Sequence, residues 1–62
     1  MTDAELMTKL IDNTGRIVEL IDSLTKSIGD PKSWFIADEI EELSVENERI
    51  RHEYARRLSN GN

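Results

Sequence analysis

The only proline, Pro31, follows Gly29 and Asp30, and no other stretch of the 62 residues interrupts helical patterning as firmly. Glycine closes a helix, aspartate caps the next one, and proline is tolerated in a first helical turn. The triplet is therefore a stop joined directly to a start. It predicts a helix over about residues 2–28, a turn at 29–30 and a second helix over about 31–58, with a polar tail at 59–62 that frays. Gly15, after Asp12, Asn13 and Thr14, is the one competing break. Apolar periodicity runs through it without a phase change, and an interior glycine costs only about 1 kcal/mol relative to alanine. The first helix is expected to be continuous.

Within the first segment Met7, Leu10, Thr14, Ile17, Ile21, Leu24 and Ile28 follow 3-4 spacing. In the second, Ile36, Ile40, Leu43, Asn47, Ile50 and Tyr54 do the same. Such seams belong to helices packed at a shallow angle, and so short a loop makes them antiparallel neighbours. Folding about Gly29-Asp30 brings Leu24 to Ile36, Ile21 to Ile40, Ile17 to Leu43, Leu10 to Ile50 and Met7 to Tyr54. The two polar seam residues, Thr14 and Asn47, fall in one layer, and Asp3 meets Arg57 in the next layer outward. An amide opposite a hydroxyl penalises wrong registers. The expected fold is all-α, one antiparallel two-helix hairpin over residues 1–62.

A hairpin of this size has difficulty stabilising itself. The chain has no cysteine, so neither a disulfide nor a thiolate metal site is available, and association is the remaining common route. The first segment carries further apolar residues beside its seam, with Ala4, Ile11 and Val18 on one flank and Leu6 and Leu20 on the other. Trp34 and Ala37 lie off the second seam. So wide an apolar face predicts a homodimer closing into a four-helix bundle, with Leu6, Ile11, Val18, Leu20 and Asn47 at the interface. Residues 1–12 and 49–62 carry five basic and four acidic groups, net +1, whereas 13–48 carry three basic and nine acidic, net −6. Loops at opposite ends of the dimer are favoured by that asymmetry. This geometry resembles the Rop family of plasmid-encoded RNA-binding regulators, also short dimerising hairpins. The likeness is architectural and transfers no residue.

Asp38, Glu39, Glu41, Glu42, Glu46 and Glu48 put six carboxylates into 11 residues. Glu19-x-x-Asp22 and Glu39-x-x-Glu42 resemble the magnesium-binding motifs of all-α nucleotide pyrophosphohydrolases of the MazG type. Here the two motifs occur in reversed order and at outward positions, so the expected reading is a solvated face and no metal or other cofactor. Arg49, Arg51, Arg56 and Arg57 form a basic counterpart and are the candidate nucleic-acid contacts, although Glu48–Arg51 and Glu53–Arg57 have ion-pair spacing. Glu5–Lys9, Asp12–Arg16 and Asp22–Lys26 have the i,i+4 spacing of helix support. His52, the only histidine, stands next to Glu48 with no nucleophile or second base, which points away from an enzyme.

Trp34 and Phe35 open the second helix beside a rigid corner; Trp34 folding over Ile28 to close the loop end is one expectation, but both aromatics can hardly bury inside one hairpin. Aromatics ringed by charge are where binding hot spots tend to lie. Trp34, Phe35, Asp38, Glu41 and Glu42 are therefore the candidate partner-binding residues. The expected function is a small acidic accessory or regulatory protein that homodimerises and binds a protein partner through its loop end. The alternatives are a small RNA- or DNA-binding regulator, or an acidic mimic of nucleic acid that inhibits a host protein. No small-molecule substrate is expected. The acidic start, Met1 to Glu5, and the lack of any long apolar run predict a cytoplasmic protein away from membranes.

Overall fold

The computed structural model describes residues 1–61 and is an antiparallel helical hairpin. Helix α1 spans Asp3–Lys26 and helix α2 spans Trp34–Asn60, with a single 3-10 turn, Pro31–Ser33, leading into α2. A capping box starts α1: the Thr2 hydroxyl accepts from the Glu5 amide at 3.1 Å, and Glu5 accepts from the Thr2 amide at 3.0 Å. Helix α1 is continuous through Gly15 and ends at Ser27, earlier than its apolar pattern implies. The chain then turns through Gly29, whose φ of 89° is left-handed backbone that glycine adopts without strain. Asp30 accepts from the Lys32 amide at 2.9 Å, capping the turn that Pro31 begins. At the other end α2 runs on through Ser59 and Asn60, which were expected in the tail; Asn62 lies outside the described residues. No described helix is long and apolar enough to cross a membrane.

The α2 seam is the expected one. Ile50 and Asn47 are buried, and Ile36, Ile40, Leu43 and Tyr54 are half-buried. The α1 seam is not. Leu6 and Leu20, at 4% and 6% exposure, are its most buried residues, whereas Ile21 and Ile28 stand 49% and 81% exposed. The series facing α2 is Leu6, Leu10, Asn13, Ile17, Leu20, Leu24 and Ser27. It shares Leu10, Ile17 and Leu24 with the expected seam and replaces every other member by the residue before it. Leu6 and Leu20 therefore lie in the hairpin core against α2, with Asn47, rather than beside the seam as expected.

Polar links explain the rotation. Lys9 Nζ lies 3.4 Å from Glu46, Asn13 Nδ2 donates to Glu46 Oε1 at 2.8 Å, and Arg16 Nε donates to Glu39 Oε2 at 3.1 Å. These ties cross from one helix to the other along one edge of the hairpin. Lys9 and Arg16 thus reach α2 rather than Glu5 and Asp12 on their own helix, although Arg16 also approaches Glu19. Asp22–Lys26 does form, at 3.0 Å. Each exposed pair is individually weak, but together they favour one rotation of α1 over another of similar apolar content.

The opposite edge is open. Turning α1 so that Lys9 and Arg16 reach α2 leaves a second 3-4 series outside: Ala4, Met7, Ile11, Thr14, Val18, Ile21, Thr25 and Ile28. All of it is apolar or threonine, and Ile11 and Val18 are 69% and 62% exposed. At about 100° per residue, the same rotational sense that carries α1 from its core to this stripe carries α2 from its core to Ala37, Glu41, Ser44, Glu48, Arg51, Ala55 and Leu58. In antiparallel helices that sense leads to one common side, so the two sets share a face.

Candidate functional site

Helix periodicity places Trp34, Phe35, Asp38, Glu41, Glu42 and Val45 together on the side of α2 turned away from α1. Trp34 and Phe35 are 68% and 54% exposed, so neither folds over Ile28 to close the loop end. Their rings meet edge to face, with centroids 6.2 Å apart and planes at 90°. That arrangement sets the positive rim of one ring against the negative face of the other. It holds both rings as one unit. The backbone beneath them is fixed by the Pro31 turn and the first turn of α2.

Asp38, Glu41 and Glu42 follow at one and two helical turns and are exposed. None takes part in an ion pair among the described residues. The acids further along are different. Glu39 and Glu46 are tied to α1, and Glu48 holds both Arg51 and His52. The acidic run is therefore divided, with its free charge next to the two aromatics.

The basic set is largely neutralised. Arg51 pairs with Glu48, Arg56 with Glu53, and Arg57 with both Glu53 and Asp3, each at 3.0 Å. The Asp3–Arg57 link closes the termini end in the layer the sequence implied. Of the four arginines only Arg49 has no ion pair among the described residues. A groove that takes phosphates needs several cations free of acids. These arginines are instead shared with carboxylates.

No three or more histidine, aspartate or glutamate side chains converge among the described residues. Glu19 and Asp22 are exposed on α1, Glu42 is exposed on α2, and Glu39 is bound to Arg16. His52 is solvent-facing beside Glu48 at 3.2 Å. Concave regions are shallow and each is lined by residues of a single helix, such as Val45, Glu48, Arg49 and His52.

Four carboxylates sit below their ordinary value of 4.5. Hydrogen bonds from Thr2 lower Glu5, Asn13 and then Lys9 lower Glu46, Arg51 and then His52 lower Glu48, and Arg56 and Arg57 lower Glu53. Such a group stabilises the fold at pH above its unfolded value and loses that contribution as pH falls through its folded value. Acidification from about pH 5 to below the depressed values is expected to lower the melting temperature progressively. Thermal melts followed by circular dichroism across that range check it, and a melting temperature that climbs instead would contradict it.

Fold and surface together define a helical hairpin with a polar edge, an apolar edge and an aromatic, acidic outer face at its corner. Comparisons with protein families, curated proteins and solved structures found no match.

Proposed function

We propose that this chain is a non-enzymatic interaction module that acts as a dimer of hairpins and docks a basic protein surface at its loop end. The observation that carries the reading is the exposed Trp34–Phe35 pair beside three unpaired carboxylates. Rigid aromatic anchors lose little conformational freedom on binding, and the free charge of Asp38, Glu41 and Glu42 steers a cationic partner towards them. A role as a small accessory or regulatory factor fits a chain that offers an exposed aromatic and acidic surface. Neutralised arginines at the other end count against nucleic acid as the partner.

Affinity capture from the source cell's own lysate, with and without nuclease, tests this. Phe35→Ala and Trp34→Ala are expected to reduce the captured protein at least tenfold, with nuclease having no effect and helicity unchanged. Asp38→Asn with Glu41→Gln and Glu42→Gln should weaken capture most at low salt. The reading fails when both aromatic variants capture normally while Arg51→Ala or Arg56→Ala loses capture and nuclease abolishes it. That outcome would move function to the basic end and to nucleic acid.

A further inference from the structure

We propose that the open stripe of α1 is covered by α1 of a second copy of this chain, running antiparallel and centred near Arg16. This rests on the dimer in the reading above and assigns its interface, register and orientation. The stripe is complementary to its own reverse. Ala4 falls opposite Ile28 of the second copy, and Met7 opposite Thr25. Ile11 falls opposite Ile21, and Thr14 opposite Val18. Three of the four layers thus set a smaller residue against a larger one, and the fourth pairs two isoleucines, so no layer joins two small residues. A parallel seam would stack Ala4 on Ala4 and Ile28 on Ile28, alternating gaps with crowding.

The residues beside the stripe agree. Thr8, Gly15 and Asp22 line one flank. In the antiparallel seam Asp22 lies near Thr8 and Gly15 lies near its own copy, where the missing side chains let the helices approach. A Cβ at Gly15 would meet nothing within 4 Å in the single hairpin, so packing inside the hairpin does not require glycine there. In a parallel seam the two Thr8–Gly15–Asp22 flanks would lie on opposite sides of the interface, and Gly15 would not meet its own copy. The antiparallel arrangement also sets the loop half, net −6, against the termini half, net +1.

Size points to a second copy. Among the described residues, helix pairing in one hairpin buries only Leu6, Leu20, Ile50 and Asn47, a small core for independent stability. The hairpin is 51 Å long, so the eight-residue stripe offers a contact along most of the molecule. The ion-paired edge stays on the outside of such a dimer, in water.

The chain has no cysteine of its own, so introduced ones report register directly. Ile11→Cys chains are mixed with nitrogen-15-labelled Ile21→Cys chains, oxidised and weighed by mass spectrometry. The expected product is the mixed disulfide, with each variant alone giving little. Wild-type chain is expected to sediment at twice 7.1 kDa, and Val18→Glu to weaken association at least tenfold while keeping its helicity. Wild type at 7.1 kDa with full helicity would overturn this interface together with the dimer of the functional reading. A retained dimer giving only like-with-like disulfides, or one unaffected by Val18→Glu, would overturn the assigned seam alone.

Discussion

Leu20→Ala is expected to remove about 2–5 kcal/mol of stability, the range for emptying a buried leucine site. A domain of this length holds on the order of 3–9 kcal/mol in total, so the variant should be largely unfolded well below the wild-type melting temperature. The expectation comes from the α1 rotation: Leu20 is 6% exposed and faces α2, next in its series to Ile17 and Leu24. Leu6→Ala should behave alike. Val45→Ala, outward on α2, is the control and should stay within about 0.5 kcal/mol. Urea titrations followed by helical ellipticity at one fixed concentration separate these cases. A Leu20→Ala loss below about 1 kcal/mol would mean that α1 faces α2 with the Met7–Ile28 series after all.

Asn47→Leu should act in the opposite direction. Asn47 is buried, its Nδ2 donates to the Thr14 hydroxyl at 3.3 Å, and its Oδ1 has no partner. An unsatisfied buried acceptor costs about 1–3 kcal/mol, against about 0.5–1.5 kcal/mol for the one hydrogen bond given up. Thr14, exposed on the open stripe, keeps its bond to the Leu10 carbonyl at 2.7 Å. A net gain of about 1 kcal/mol corresponds to a melting temperature about 4–8 °C higher for a domain of this size. The gain should come with looser register, since a polar layer at one level penalises every shifted pairing. Loss of several kcal/mol would instead tie Asn47 into a wider polar network than the hairpin contains.

Most of the architecture was legible because Gly29, Asp30 and Pro31 leave few alternatives and because α2 is apolar on one face only. Its seam from Ile36 to Tyr54 has no rival series. Helix α1 is apolar over so much of its circumference that two series share Leu10, Ile17 and Leu24, and hydrophobicity alone favours the one with Ile21 and Ile28. The deciding information was in Lys9, Asn13 and Arg16. These form a line that matches Glu39 and Glu46 across the hairpin, and their spacing to Glu5 and Asp12 within α1 masked it. The capping box of Thr2 and Glu5 was equally readable as a local motif and gave α1 its start. For the candidate surface, Trp34, Phe35, Asp38, Glu41 and Glu42 were legible as aromatic and acidic residues near the loop, and all five are exposed. Which of the neighbouring acids are free and which are tied down depends on the rotation of α1, and so followed only from the packed pair.

The Gly29 corner also sets the order in which the molecule assembles. Partners in a hairpin grow further apart along the chain with distance from the turn: 33 residues separate Asn47 from Thr14, and 54 separate Arg57 from Asp3. Closing the layers nearest the turn first restricts the least chain, and each later layer then closes a short remaining gap rather than a long loop. Loop-closure entropy thus favours closure from the corner towards the termini, with the Asp3–Arg57 clasp carrying the largest loop. Trp34 and Phe35 stand directly beside that turn, where the closing loop is shortest. A partner gripping them would hold the nucleus of the fold, and would still find its handle in place when the far end had frayed.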